Sequence, residues 1–147
     1  MQQGLDLTPA SHADKAAWLS NLGVALKGRF DCLGELEDIE HAIQVSQQAV
    51  DLTPDGHASK ALSLTNLGAA LLCQFEHLGE LGDIENVTST YQQATENKSS
   101  PPSVRYNAAS RWATLSSTYQ DSSQALDAYK AVLEIIPQLV WLGQTVH

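Results

Sequence analysis

The chain has 147 residues and a mass of 15.9 kDa, 43% apolar and only 17% charged, which suits one domain or a short repeat array and excludes a charge-rich disordered tail. Eight basic residues against seventeen acidic ones give a net charge of −9 and a pI near 4.7, the wrong sign for nucleic acid or an anionic membrane surface. No apolar run approaches the roughly 18 residues of a membrane span, Met1 to Asp6 carries no secretory leader, and two cysteines make no disulfide framework, so a reducing, cytoplasmic setting is expected.

In chain order, residues 1–9 read as the end of a truncated repeat, since Gln2-Gln3 recurs as Gln47-Gln48. Repeat 1 spans 10–54. Its first helix carries Leu19, Leu22, Gly23, Leu26 and Phe30 at helical spacing and stops at Gly34. Its second carries Ile39, Ala42, Ile43, Ser46, Ala49 and Val50 and ends at Pro54. Repeat 2 spans 55–98, with Leu64, Leu67, Gly68, Leu71 and Phe75, a stop at Gly79, then Ile84, Val87, Tyr91 and Ala94. Repeat 3 spans 99–137. It opens on Ser99-Ser100-Pro101-Pro102, a serine cap followed by proline, and continues with Val104, Ala108, Trp112, Leu115 and Tyr119, then Ala125, Leu126, Tyr129, Leu133 and Ile136. Pro137 is read as its end, and 138–147 as the start of a truncated following helix. No segment alternates as a strand would.

A shift of 45 residues lays Asp6-Leu7-Thr8-Pro9 on Asp51-Leu52-Thr53-Pro54, Asn21-Leu22-Gly23 on Asn66-Leu67-Gly68, and Leu33-Gly34-Glu35-Leu36 on Leu78-Gly79-Glu80-Leu81. About 25 of 45 positions from Asp6 to Val50 are identical, far above chance. Gly23, Gly68 and Ala113 stand 45 apart in mid-helix, where Gly costs roughly 1 kcal/mol against Ala. That recurrent cost predicts a helix passing very close, with Ala42, Ala49, Ala94 and Ala125 as its small partners.

These residues resemble the tetratricopeptide repeat (TPR): Leu19, Leu22-Gly23, Leu26, Ala42, Ser46, Ala49 and Pro54 in unit one; Leu64, Leu67-Gly68, Leu71, Val87, Tyr91 and Ala94 in unit two; Ala109, Trp112-Ala113, Ser116, Ala125, Tyr129, Val132 and Pro137 in unit three. The period exceeds the usual ~34. Gly23 to Ala42 and Gly68 to Val87 are 19 residues, whereas Ala113 to Ala125 is 12. The seven extra residues are about two helical turns and keep the packing face nearly in register. The long unit is similar to the repeat arrays of fungal CHAT-domain proteins, in which repeats precede a caspase-like domain. The resemblance implies an all-α, right-handed α-solenoid of TPR-like helix hairpins that binds proteins and is not an enzyme, and the segment Ala125 to Gly143 is similar to the junction before the CHAT domain.

No catalytic constellation, cofactor loop or metal-ligand spacing is legible. Cys32, Cys73, His41 and His77 belong to no nucleophile motif, and the repeat phase separates them. His12 and His57 recur before the first helices and suit a turn or cap. Glu35, Glu37, Asp38 and Glu40, with Glu80, Asp83 and Glu85, fall in the first turn of the second helices, where they complement the helix dipole. The sequons at Asn86 and Asn97 are expected to be accidental matches, since no secretory leader is read at Met1 to Asp6.

In such an array the first helices line a concave groove. Its expected residues are Ser20, Asn21, Val24 and Lys27, then Thr65, Asn66 and Ala69, then Asn107, Ser110, Arg111 and Thr114. A side-chain amide pairs with both the N–H and the C=O of an extended peptide, and asparagines do so at this place in related repeats; Arg111 suits a carboxylate. The expected function is a scaffold binding a peptide or partner domain; the alternative is a regulatory or structural fragment of a CHAT-type protease, with the CHAT domain as partner. Apolar ends at Gly4, Leu5 and Leu7 and at Leu139, Val140, Trp141 and Leu142 predict frayed ends or end-to-end self-association.

Overall fold

The computed structural model describes residues 9–79 and 82–141, and all of the regular structure among them is helical. There are six helices: α1 (Pro9–Leu33), α2 (Leu36–Leu52), α3 (Lys60–Leu78), α4 (Gly82–Glu96), α5 (Pro102–Tyr119) and α6 (Ser122–Trp141). Each packs on the next, and α3 also touches both α1 and α5. The chain is therefore three helical hairpins, α1–α2, α3–α4 and α5–α6, laid side by side.

Glycine sets the hairpin tips. Gly34 and Gly79 both adopt φ 73°, and their N–H groups bond Phe30 O and Phe75 O at 2.7 Å. That left-handed turn closes the last turn of α1 and α3 and costs glycine little. The seven surplus residues divide between the helices. Beyond Gly23 and Gly68 the first helices run to Leu33 and Leu78, about one turn further than α5 runs beyond Ala113, and α2 starts about one turn earlier before Ala42 than α6 does before Ala125. Edge-on aromatic contacts fill these longer tips: Phe30 with His77 at 5.2 Å between centroids, and Phe75 with Tyr119 at 5.0 Å.

The mid-helix glycines stand where the sequence predicts close approach. A Cβ on Gly23 would lie 2.5 Å from Ser46 Oγ, and one on Gly68 2.9 Å from Cε1 and Cζ of Tyr91. Residues 46 and 91 share one register, so the crossing partner is that position rather than the alanines alone. The core then passes between hairpins. Leu19, Leu26, Phe30, Ile39, Ala42, Val45 and Ala49 form one cluster that takes in Ala70 of α3. Val50 of α2 joins a second, with Leu64, Leu67, Val87, Tyr91, Ala108, Trp112 and Ala128.

At the opposite end from the tips, a basic residue in the first turn of a first helix covers the carbonyls of the preceding second helix. Lys60 Nζ donates to Val50 O at 2.9 Å and Thr53 O at 2.8 Å. Arg105, 45 residues on, donates from Nε to Thr95 O at 2.9 Å, the carbonyl 45 residues after Val50. The linkers are tied across as well. Asn97 Nδ2 donates to Asp55 O at 2.7 Å, and the N–H of Ala61 donates to Ser100 Oγ at 3.0 Å.

Three expectations are corrected. Ser99 and Ser100 do not cap their own helix: Pro101 is the N-cap residue without a side-chain bond, and Ser100 serves the start of α3 instead. His57 lies in a turn, its Nδ1 accepting from the Ser59 N–H at 3.0 Å, whereas His12 lies inside α1. Pro54-Asp55-Gly56 is turn chemistry, and the equivalent Pro9-Ala10-Ser11 favours continuing helix. Finally, Pro137 does not end repeat 3. Helix α6 runs through it to Trp141, because Ile135 and Leu139 on either side are buried with Ala109, so residues 138–141 are not a new helix and Leu139 is not an exposed end. The truncated-repeat segment before Pro9, with Gly4, Leu5 and Leu7, and Leu142 at the other end lie outside the described residues; nothing is described of the Trp141 side chain.

The first tip carries an ion pair the repeat does not repeat. Arg29 Nη2 and Nε meet the two carboxylate oxygens of Asp38 at 2.7 and 3.0 Å. This holds the Asp38 carboxyl below its ordinary range, chiefly through the Arg29 hydrogen bond. Position 74, the equivalent of Arg29, is Gln.

Two outcomes follow. Gly68→Ala lowers stability in urea melts by about 1–3 kcal/mol despite alanine's better helix propensity, whereas Gly28→Ala, where a Cβ meets nothing within 4 Å, raises it by up to about 1 kcal/mol. Because the folded Asp38 pKa is depressed, its stabilisation is present above the ordinary carboxylate range and is lost as pH falls toward the lower folded value; Asp38→Asn flattens that part of the stability–pH curve, measured by urea melts at successive pH values.

Candidate functional site

The first helices position the expected groove residues in one register on α1, α3 and α5. On α1, Asn21 and Val24 are exposed and Ser20 is half-buried. Lys27 Nζ pairs with Asp31 at 3.2 Å on the same helix. On α3, Thr65 turns its hydroxyl back to Ala61 O at 2.7 Å, a bond that commits it to its own backbone. Asn66 and Ala69 are half-buried, and the Asn66 amide makes no hydrogen bond among the described residues. On α5, Asn107 Oδ1 accepts from Arg111 Nε at 2.9 Å, one turn apart. Ser110 is half-buried and Thr114 exposed, its carbonyl taken by the Thr118 hydroxyl at 2.9 Å.

The eleven residues therefore divide. Thr65 and Lys27 are engaged locally, Asn107 and Arg111 form one unit, and the Asn21 and Asn66 amides make no hydrogen bond among the described residues. Asn107 thus orients the guanidinium, a part the sequence does not reveal.

Tyr91 belongs to this region and is read from the sequence only as a core aromatic. Its side chain is 0% exposed and packs under Gly68, yet its hydroxyl has no hydrogen-bond partner among the described residues. Burial pushes the phenol above its ordinary range; the charge of Arg111 and the approach of its side chain toward the hydroxyl, which stops short of a well-formed hydrogen bond, oppose that shift, and Glu76 adds to it. The signal available in the sequence is the pairing of positions 46 and 91 with the two glycines: Ser where Gly23 crosses, a full phenol ring where Gly68 crosses.

Cysteine and histidine go elsewhere. Cys73 is half-buried, its thiol 3.9 Å from Asp31 Oδ1, and burial pushes the thiol up, away from the thiolate form. Cys32 is exposed, and His77 packs edge-on against Phe30. A concavity of about 350 Å³ at the linker end is lined by Asp55, Lys60, Gln93 and Asn97, but Lys60 there is already spent on the α2 carbonyls. Among the described residues no group of His, Cys, Asp and Glu is arranged to hold a metal, and no helix is long and apolar enough to cross a membrane.

Comparison with protein-family models, with curated proteins and with solved structures finds no match to the chain.

An unpartnered buried hydroxyl costs about 1–3 kcal/mol. Tyr91→Phe accordingly leaves stability unchanged or raises it by about 1 kcal/mol, whereas Tyr91→Ala lowers it by about 3–5 kcal/mol through the cavity left under Gly68. Urea melts of the two variants test both.

Proposed function

We propose that this chain is a non-catalytic interaction scaffold: a right-handed α-solenoid of TPR-like hairpins that holds an extended peptide, or an extended segment of a partner domain, along the face of α1, α3 and α5. One observation carries the reading. The first helix of each hairpin touches the next first helix, α1 to α3 and α3 to α5, so residues in one register on them form a row. In that row stand Asn21, Asn66 and Arg111.

The row suits a strand-like ligand on spacing. Packed helix axes lie roughly 8–10 Å apart, and an extended chain rises about 3.3 Å per residue. Successive helices therefore meet about every third residue of the ligand. Two amides would bridge peptide N–H and C=O groups, and Arg111, held by Asn107, would take an acidic side chain or a chain end. Affinity drawn mostly from backbone contacts fits broad recognition, with selectivity from the Arg111 end. The composition suits a cytoplasmic setting for it.

Selection of random phage-displayed peptides on the purified chain, followed by amide-resolved NMR titration with the best synthetic peptide, tests the proposal. Shifts are expected along α1, α3 and α5, and Asn66→Ala should weaken binding about tenfold. Shifts confined to α2, α4 and α6, or unchanged affinity in Asn66→Ala, would remove it.

A further inference from the structure

Among the described residues helix α6 carries a largely exposed apolar stripe, in which Ile136 is half-buried and Tyr129 Oη accepts from the Ser117 hydroxyl at 3.2 Å. Leu126, Tyr129, Leu133, Ile136 and Val140 follow spacings of three and four, which align them along one face. Leu126 is 59% exposed, Tyr129 47% and Leu133 67%.

The repeat shows what these positions do elsewhere. Tyr129 shares its register with Tyr91 and Ser46, and Leu133 with Thr95 and Val50; all four earlier residues are buried. Leu126 matches Thr88, also buried. On α2 and α4, Val50 packs in the cluster of the following hairpins and Thr88 Oγ1 accepts from Gln120 Nε2 at 3.2 Å, while Ser46 and Tyr91 sit under the glycine of their own first helix.

Among the described residues the opposite face of that contact is uncovered on α1. Ala70 and Leu115, in one register on α3 and α5, are buried in clusters shared with the preceding hairpin. Their equivalent on α1, Ala25, is exposed. Ser63 and Ala108 are buried, and their equivalent Trp18 is 44% exposed. Cys73 packs on the preceding cluster, and its equivalent Gly28 has nothing within 4 Å of where a Cβ would stand.

A polar contact has the same address. Lys60 covers Val50 O, the carbonyl that Pro54, four residues on, cannot serve because proline has no N–H. Pro137 stands four residues after Leu133 and withholds the same bond from the Leu133 carbonyl. Lys15 holds on α1 the register that Lys60 holds on α3 and Arg105 on α5.

We infer that the α6 stripe is a docking surface for the α1 face of a second copy of this chain, with Lys15 of that copy on the Leu133 carbonyl, so that copies join head to tail in the register of successive hairpins. The contact is heterologous and leaves one free end on each side, so it propagates. It does not depend on the peptide-binding proposal: it uses the α6 stripe and the Lys15, Trp18 and Ala25 positions of α1, not Asn21, Asn66 or Arg111.

Sedimentation velocity and light scattering of the whole chain over a concentration series test it. The wild-type mass should rise to about twice the monomer value and beyond. Leu133→Glu and Ala25→Glu, both at exposed positions, should each stay monomeric with unchanged circular dichroism, and Leu126→Glu serves if Leu133→Glu alters the fold. An equimolar mixture of the α6 and α1 variants should form a one-to-one dimer and nothing larger, since each supplies the face the other lacks. Lys15→Met should raise the midpoint concentration of association about tenfold. A wild-type chain that stays monomeric, an Ala25→Glu variant that associates like the wild type through paired α6 faces, a mixture that stays monomeric, or an unmoved midpoint in Lys15→Met would each overturn the proposal.

Discussion

A helical hairpin has two apolar faces and covers only one of them by folding on itself. The rest of the structure is a response to that constraint. The contact that satisfies it is the approach of a first helix to its own second helix at Gly23 and Gly68, close enough that a single methyl group would collide with Ser46 or Tyr91. Brought that near, each hairpin presents a thin, two-sided layer, and the remaining apolar surface is buried against the next layer. Ala70 in the cluster of the first hairpin and Val50 in that of the second and third are the visible result.

Much of this was legible in the sequence because identical physical demands recur at a fixed interval. Gly34 and Gly79 mark the hairpin tips, and the mid-helix glycines announce a close crossing at a cost that single occurrences would not justify. What the residues left unseen lacks either recurrence or a side chain to read. Arg29 and Asp38 pair across the first tip, but the second unit has Gln74 in the arginine's place, so no periodic signal exists. The bonds from Lys60 and Arg105 end on carbonyl oxygens, which are the same atom in every residue. Ser100 reads as a cap for the helix it precedes and instead serves the one before, a choice fixed by how the linkers lie against each other. Pro137 has the chemistry of a stop but is overridden by burial of Ile135 and Leu139 on either side.

The proposed peptide face rests on register and on helix contacts together. Register alone puts Asn21, Asn66 and Arg111 in corresponding places, and the contacts of α3 with α1 and α5 put those places in sequence. Which of the polar side chains remain available is decided by local bonds that composition does not report. Thr65 is lost to its own helix, whereas Arg111 gains an orientation from Asn107. Tyr91 brings a different feature, a phenol whose ring is needed as filler beneath Gly68 while its oxygen goes unserved. Arg111 and Glu76 are the charges that act on it, in opposite directions.

The bond from the Ala61 N–H to Ser100 Oγ has a bearing on biogenesis. A chain emerging from the ribosome in order exposes α3 long before Ser100 follows it. During that interval the first turn of α3 lacks the acceptor it uses in the finished protein. The second hairpin can coil before that, but the Ala61 N–H gains this acceptor only once the linker to the third hairpin has emerged, so the starting end of the middle hairpin is completed by its successor.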